Sequence, residues 1–308
     1  MILGIVYRST GSWYKVVHGN KTINCRLQGK LRLEGIKSTN PVVVGDKAWI
    51  NYDSKSNEGI IIKIEPRDNY IVRKSVNLSK QTHIIAANID HAFLIITYDN
   101  PPTSTSFIDR FLVTADAYKI KSTLVFNKID SYDSKTMSRI DELINTYENI
   151  GYKSLKISAT YGENLDKLNE IISNKVCMFS GHSGVGKSTL INAISPNLKL
   201  RTSSISNYHM QGQHTTTFAE MFDLKSGAKL IDTPGIKGFG LVDIKKNEIS
   251  KYFPEFNRLS NKCKFNNCLH VNEPKCEVKK AIDLNLISSS RYKSYIQLLE
   301  VENTYRNS

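Results

Sequence analysis

Three observations predict a multidomain fold with an all-β N-terminal part, a central α/β part and a small α-helical C-terminal part. Five short runs rich in β-branched and aromatic residues occupy residues 1–72. Residues 73–240 alternate strand-like apolar runs with segments of helical spacing. Residues 241–308 contain three of the five cysteines, crowded together with a histidine. We therefore expect domain boundaries near residues 72 and 240.

The composition indicates a polyanionic partner. Lys and Arg number 42 against 29 Asp and Glu, which gives a net charge of +13 at neutral pH. Such an excess favours nucleic acid or an anionic membrane face. No apolar run is long enough to span a bilayer, and residues 1–8 turn polar too early for a signal peptide. We therefore expect a cytoplasmic protein, with nucleic acid rather than a membrane as its partner.

The first part has the pattern of a small Greek-key barrel of the OB type. Its strand-like runs cover residues 2–7, 13–17, 22–27, 42–51 and 59–64, and Gly, Asn and Asp punctuate them. The aromatic residues Trp13, Tyr14 and Tyr52 could stack on nucleic-acid bases. The equally weighted alternative is that they fill the barrel and that the basic residues only keep it soluble. Those basic residues are Lys15, Lys21, Arg26, Lys30, Arg32 and Lys37.

The central part contains a phosphate-binding loop that fits G-x-x-x-x-G-K-[ST] without a mismatch. The loop follows a strand-like run at 176–180 and precedes a helix-like run at 188–194. Its glycines let backbone N–H groups turn toward an anion, and the helix N-terminus adds partial positive charge. Lys187 would reach the β- and γ-phosphates, and the Ser188 hydroxyl would bind Mg²⁺. The alternative is a Gly-rich turn that binds nothing. The predicted binding residues are Gly181, His182, Ser183, Gly184, Val185, Gly186, Lys187, Ser188 and the following Thr189.

Two further motifs in this part indicate that the base is guanine. Asn127-Lys128-Ile129-Asp130 follows a strand-like run, and its carboxylate can accept from both the ring N1–H and the exocyclic amine of guanine. The Lys128 stem can lie over the base, and Asn127 can tie this segment to the phosphate loop. The pair Ser158-Ala159 ends the next strand and offers a backbone N–H to the base oxygen. Asn-Lys-x-Asp by itself is also an ordinary strand-end turn, but beside a phosphate loop it indicates GTP.

The order of the motifs predicts a circular permutation. Asp232-Thr233-Pro234-Gly235 matches D-x-x-G, in which the aspartate holds Mg²⁺ through water and the Gly235 N–H contacts the γ-phosphate. Here the guanine motifs precede the phosphate loop and D-x-x-G comes last. Because the termini of compact domains often lie close together, the same sheet can form from this rearranged order. The sequence therefore predicts a central, circularly permuted P-loop GTPase domain whose switch segment leads into the C-terminal part.

With Gly212–Thr217 and the cysteine cluster, these motifs make nearly the whole chain resemble the circularly permuted GTPases of small ribosomal subunit biogenesis, the RsgA (YjeQ/YloQ) family. The resemblance implies GTP hydrolysis coupled to late maturation of the 30S subunit, with contact to 16S rRNA and checking or release of assembly factors. It also implies bound GTP or GDP with Mg²⁺. We further expect a monomer that binds neither DNA nor membranes.

One position departs from ordinary GTPases. The residue after D-x-x-G usually orients the attacking water, but here it is Ile236, which cannot. The candidate replacement is His214, a role that the resemblance supports; the alternative is a group supplied by the ribosome. Either Thr215 or Thr216 should complete the Mg²⁺ shell. Ile236 also keeps a second function open: an rRNA-binding protein in which GTP is a structural or regulatory ligand with negligible turnover.

The C-terminal part contains four candidate metal ligands within fourteen residues: Cys263, Cys268, His270 and Cys276. Three thiolates and one imidazole favour tetrahedral Zn²⁺, and a full set of four predicts a closed structural site, hence an α-helical zinc-binding module. The alternative is three free cysteines and a stray histidine. Nearby lysines would suit rRNA phosphates. Residues 288–306 read as a closing helix packed on the central domain, and Cys25 and Cys177 as core residues.

Overall fold

The computed structural model describes residues 1–29, 41–74, 82–198, 219–232 and 244–304. Within them, the N-terminal part is a closed five-stranded barrel, as predicted. Strand β1 pairs antiparallel with both β2 and β4, β2 pairs with β3, and β5 lies parallel to β3 and antiparallel to β4. The alternating inward residues, such as Val16 and Ile61, are fully buried. The strands are β1 (Ile2–Ser9), β2 (Tyr14–His18), β3 (Lys21–Leu27), β4 (Lys47–Asp53) and β5 (Glu58–Ile64).

The fourth strand starts later than the sequence pattern predicts. Residues 42–46 form a turn in which the Val43 N–H donates to Asp46 Oδ2 at 2.8 Å. Asp46 is fully buried and forms an ion pair with Arg67, with Nε and Oδ1 2.7 Å apart. Two of the three valines before it face a second, two-stranded sheet: Val43 packs against residues of that sheet, and Val44 bridges to Ala86. The apolar character of Val43 and Val44 therefore reflects a contact between sheets, whereas Val42 is buried in the barrel core.

That second sheet joins the barrel to the central part. It consists of β6 (Tyr70–Lys74) and β7 (Thr82–Ala87), which pair antiparallel. Strand β6 extends across residue 72. The Ala87 N–H donates to Val44 O and the Asn88 side chain donates to Gly45 O, each at 2.9 Å. The hairpin is therefore hydrogen-bonded directly to the barrel.

The central sheet is parallel except at one edge, as the alternating pattern predicts. Its order is β10-β9-β8-β11-β13-β12, and only β12 runs antiparallel to its neighbour. Strand β12 also meets β1 of the barrel at Arg8 and Glu220, so the two sheets are continuous. The strands are β8 (His91–Ile96), β9 (Lys121–Phe126), β10 (Lys153–Lys156), β11 (Val176–Ser180), β12 (Glu220–Asp223) and β13 (Lys229–Asp232).

Helices cover both faces of this sheet. On β8, Leu94 and Ile96 pack toward α1 and α2, whereas Phe93 and Ile95 pack toward α3 and α4. Both faces are buried, which explains why β8 is a continuous apolar run. The four helices are α1 (Thr105–Ala117), α2 (Ser134–Glu148), α3 (Leu165–Ile172) and α4 (Lys187–Ile194).

The C-terminal part is helical and rests on α1. Its core includes Phe253, Phe256 and Tyr295, all fully buried. The closing helix packs back on the central domain as predicted, and the Ser106 hydroxyl donates to Gln297 Oε1 at 2.6 Å. Among the described residues, no helix combines the length and apolarity needed to cross a membrane. The helices are α5 (Lys246–Ile249), α6 (Pro254–Ser260), α7 (Glu277–Asp283) and α8 (Ser289–Thr304).

Candidate nucleotide-binding site and metal cluster

The phosphate loop connects β11 to α4, in the strand–loop–helix context that the motif requires. Gly181 has φ +144°, and a Cβ there would lie 2.5 Å from Ile95 O, so only glycine fits. The Lys187 ammonium donates to the carbonyl oxygens of Gly181 and His182, both at 2.6 Å. Ser188 is buried in the first turn of α4. The loop thus curls around its own lysine at the N-terminus of a helix.

The electrostatics of the loop suit an anion. Burial lowers the pKa of Lys187 to about 8, and the nearby Asp232 carboxylate opposes that shift only in part. Asp232 ends β13, which pairs parallel with β11. The predicted phosphate-binding lysine, at the start of α4, therefore lies near the predicted Mg²⁺-binding aspartate, at the end of β13. A bound phosphate would provide a negatively charged partner that stabilises the buried, protonated ammonium.

Asn127 joins three motifs that lie far apart in the sequence. Its side chain is buried; Nδ2 donates to Val185 O in the phosphate loop at 2.9 Å. Its Oδ1 accepts the Ala159 N–H at 3.1 Å. A Cβ on Gly186, where φ is +93°, would lie 2.4 Å from Asn127 Nδ2. This glycine therefore permits the close approach between the two loops that the sequence analysis expected of Asn127.

The other guanine-motif residues surround this junction. Lys128 adopts a left-handed backbone, with φ +66°, and its Nζ donates to Asn100 O at 2.6 Å. Asp130 lies in a short 3₁₀ turn and is exposed. Ser158 is buried, and its hydroxyl accepts the Tyr161 N–H at 3.1 Å. Both guanine loops thus emerge at the same edge of the sheet as the phosphate loop.

One segment beside the phosphate loop was missed by sequence reasoning. Residues 100–107 run from the loop after β8 through the first turn of α1, and the Phe107 and His182 ring centroids are 4.0 Å apart. Pro101 Cδ lies 3.3 Å from where a Cβ on Gly184 would be. The Pro/Ser/Thr composition of this segment predicts only a loop. No local sequence signal could have revealed its neighbours.

The remaining predicted residues differ in outcome. His214, Thr215, Thr216 and Gly235 lie outside the described residues. In the barrel, Tyr14 is buried in the interior, so the core interpretation holds for it. Trp13 is exposed and lies under the Arg26 guanidinium, 4.0 Å from the ring centroid. Tyr52 faces the Lys21 ammonium at 5.7 Å.

The four predicted metal ligands converge in the C-terminal part. Their ligand atoms all lie within 4.8 Å of one another, and all four residues are buried. The Cys263 and Cys276 Sγ atoms are 3.9 Å apart, and His270 Nδ1 lies 3.4 Å from Cys276 Sγ. A tetrahedral ion with metal–sulfur bonds of about 2.3 Å requires sulfur–sulfur separations of about 3.8 Å. The geometry therefore fits a single metal ion.

The chemistry around the cluster also fits a cation. Burial raises the pKa of Cys268 to about 12, so a thiolate there needs a compensating positive charge. The Lys279 N–H donates to Cys276 Sγ at 3.5 Å, an outer contact of the kind that orients thiolate ligands. Cys25 and Cys177 are fully buried in other cores, as predicted.

Sequence profiles of one family match both major parts of the chain. The profile described as RsgA GTPase matches residues 64–242, and the RsgA N-terminal domain matches residues 3–61. The chain belongs to the RsgA GTPase family. It is accordingly a GTP hydrolase, and its central fold is the circularly permuted GTPase domain that the motif order predicts.

Relatives of this RsgA-family chain match it along nearly its whole length. It is 58% identical over 308 residues to the small ribosomal subunit biogenesis GTPase RsgA of Flavobacterium psychrophilum, covering 98% of this chain and 94% of that relative. It is 50% identical over 298 residues to RsgA of Bacteroides fragilis strain YCH46, covering 96% of each.

Solved structures of the RsgA fold superpose on the chain. YjeQ from Thermotoga maritima gives a TM-score of 0.79 at 33% identity and covers 97% of both chains. YloQ, described as a circularly permuted GTPase, gives a TM-score of 0.76 at 29% identity and covers 99% of this chain and 96% of its own. The similarity therefore extends over the barrel, the central domain and the C-terminal part together.

Proposed function

We propose that this RsgA-family GTPase binds the 30S ribosomal subunit and hydrolyses GTP during late maturation of that subunit, contacting 16S rRNA and checking or releasing assembly factors. The observation that carries the proposal is the buried Asn127 side chain, bonded at once to the phosphate loop and to Ala159. These bonds hold the segment that we assign to the phosphates next to the two segments that we assign to the base. The names of the relatives supply the ribosomal partner.

The proposed nucleotide site assigns each motif a task. Phosphates would lie on the loop Gly181–Ser188, with Lys187 on the β- and γ-phosphates, and guanine against Asp130. Mg²⁺, held by Ser188, Asp232 and one of the switch threonines, would neutralise charge that develops on the phosphate oxygens. The nearness of Asp232 to Lys187 supports this assignment.

His214 is the residue that we propose to orient the attacking water. Ile236 has no polar side-chain atom with which to do so, and His214 lies in the same sequence segment as Thr215 and Thr216. Replacing His214 with alanine should lower kcat for GTP while leaving nucleotide affinity nearly unchanged. If nucleotide affinity fell by a factor as large as the fall in kcat, His214 would instead be a binding residue.

The C-terminal cluster is proposed to hold one structural Zn²⁺, because its donor set is three sulfurs and one nitrogen in a closed, buried arrangement.

We propose the division of the chain into residues 1–72, 73–240 and 241–308, with the first and last parts contacting rRNA. In the barrel, the Trp13–Arg26 and Tyr52–Lys21 pairs offer aromatic faces beside positive charge. The net charge of +13 supports an RNA partner, and we propose a cytoplasmic monomer that binds neither DNA nor membranes.

The deciding experiment measures GTP turnover with and without purified 30S subunits. We expect 30S subunits to raise turnover well above the rate of the free protein. An unchanged rate would contradict coupling to the ribosome and would favour an RNA-binding protein for which GTP is a regulatory ligand.

A second experiment tests base recognition. Asp130→Asn should weaken GTP binding and favour xanthosine triphosphate, because the amide presents a donor where the carboxylate presents an acceptor. Asp68→Asn, a matched change at an exposed residue between β5 and β6, should leave both affinities unchanged. An unaltered base preference in Asp130→Asn would remove Asp130 from the site.

A further inference from the structure

Residues 100–107, which we name the clasp, contact the nucleotide site at three points although they belong to none of its motifs. Asn100 O accepts from the Lys128 ammonium at 2.6 Å. Pro101 lies against Gly184. The Phe107 ring lies against the His182 ring, with centroids 4.0 Å apart and planes inclined at 32°. The clasp therefore contacts both the guanine motif, at Lys128, and the phosphate loop, at His182 and Gly184.

The clasp is itself firmly held at its start. The Thr97 hydroxyl donates to Pro101 O at 2.6 Å, and the Thr103 N–H donates to Thr97 O at 3.0 Å. Thr97 is fully buried directly after β8. These bonds fix the path of the chain as it leaves the central sheet.

The clasp ends on a helix that is fixed at several points. Ser104 caps α1 by accepting the Phe107 N–H at 3.3 Å, and Ser106 donates to Gln297 of α8. Two residues further along α1, Asp109 is ion-paired with Arg291 of α8 at 2.7 Å. Phe107 is therefore carried on a helix with little freedom to shift, and its ring presents a stationary surface to His182.

His182 connects that surface to the lysine of the phosphate loop. Its backbone carbonyl, with that of Gly181, receives the Lys187 ammonium. A rotation of the His182 side chain and backbone would therefore move the lysine and the first half of the loop together. An aromatic contact that restricts this rotation prepares the loop before the ligand arrives, and such preparation increases affinity.

We propose that Phe107 is a positioning residue for nucleotide binding: its ring holds His182, and with it the first half of the phosphate loop, in the conformation that receives the phosphates of a guanine nucleotide. The inference rests on the proposed assignment of Gly181–Ser188 as the phosphate loop. An aromatic pair of this kind is worth enough to change affinity about 2- to 13-fold.

The experiment measures GDP affinity of the full chain by isothermal titration calorimetry, together with kcat and KM for GTP. Phe107→Leu should weaken GDP binding and raise KM about 2- to 13-fold while kcat changes little. Phe107→Tyr, which keeps the ring, should restore affinity. Phe265→Leu, the same change at an exposed phenylalanine of the C-terminal part, should have no effect.

A double-mutant cycle separates positioning from general packing. His182→Ala should weaken binding by a similar factor, and adding Phe107→Leu to it should cost little more, because both changes remove one contact. Multiplicative losses, or wild-type affinity in Phe107→Leu, would overturn the inference. Lys187→Ala serves as the reference: if it binds GDP normally, the phosphate-loop assignment itself has failed, whereas its failure to bind beside a normal Phe107→Leu variant refutes only the role of Phe107.

Discussion

Replacing Arg291 with methionine tests how firmly the C-terminal part is held to the central domain. The Arg291 side chain is 1% exposed and forms ion pairs with two acids on different helices. Its Nη1 lies 2.7 Å from Asp109 Oδ1, and its Nε lies 2.8 Å from Glu255 Oε1. The guanidinium also lies 4.4 Å from the Phe253 ring centroid. Methionine keeps much of the apolar stem but removes every charged contact.

The expected cost follows from what remains. Both carboxylates are buried, and Asp109 keeps a neutral donor in the Tyr147 hydroxyl at 2.8 Å. Breaking a buried ion pair by removing one partner costs about 3–5 kcal/mol, because an uncompensated charge stays in the interior. We expect Arg291→Met to lower the free energy of opening of the α1–α8 interface by about that amount.

The deficit should depend on pH. Burial already raises the pKa of Asp109, and the charge of Arg291 opposes that rise, so its loss raises the pKa further. The folded variant then retains a proton that the unfolded chain releases near pH ~4. The destabilisation should therefore be smallest in acid and grow as the pH rises from about 4 through the raised folded-state pKa.

Hydrogen exchange of backbone amides in α1 and α8 measures this opening directly. The matched control is Lys156→Met, which breaks an ion pair with Asp141 in which the side chains are 37% and 50% exposed. That change should cost less than about 1 kcal/mol. If Arg291→Met costs no more than the control, or if its deficit does not change between pH 5 and pH 8, the reasoning about the buried cluster is wrong.

Three other predictions concern the nucleotide site and the metal. Because the pKa of Lys187 is about 8 and bound phosphates would raise it, GDP affinity should be level below pH 7.5 and fall above pH 8. Binding should also take up protons, which calorimetry in buffers of different ionisation enthalpy measures. A GDP affinity that stays constant up to pH 9.5 would contradict this. Gly186→Ala places a Cβ 2.4 Å from the Asn127 amide and should reduce GDP affinity at least tenfold in the same titration, roughly the effect of 1.4 kcal/mol of strain. The control Gly151→Ala, at a position with φ +107° and no atom within 4 Å of the new Cβ, should leave GDP affinity unchanged. Cys276→Ser should lower the zinc content measured by elemental analysis and the exchange protection of α7, and unchanged protection would argue against a structural metal.

The contiguous motifs could be predicted because their chemistry depends on neighbouring residues. A phosphate loop needs glycines and a lysine at set spacing, and these lie within Gly181–Ser188 whatever the rest of the chain does. The same holds for the ligand spacing from Cys263 to Cys276. The permutation also follows from sequence, since it concerns only the order of motifs along the chain.

Local patterns were less informative where two faces of an element compete. Alternation in the barrel indicates that Trp13 and Tyr14 point to opposite sides, but barrel closure decides which side is the core. Val43 and Val44 have the apolar character of a strand because they contact the β6–β7 sheet. In each case the apolar residue reports burial without identifying the neighbour that buries it.

By itself, the sequence determined that this chain has a barrel, a permuted guanine-nucleotide domain and a cysteine–histidine cluster. The tertiary structure decided how these parts are joined. Arg291 contacts Asp109, 182 positions away in the sequence. Phe107, which belongs to no motif, contacts His182 of the phosphate loop. Such contacts depend on how helices settle on a shared sheet, a packing outcome that single-residue chemistry and short-range spacing do not contain.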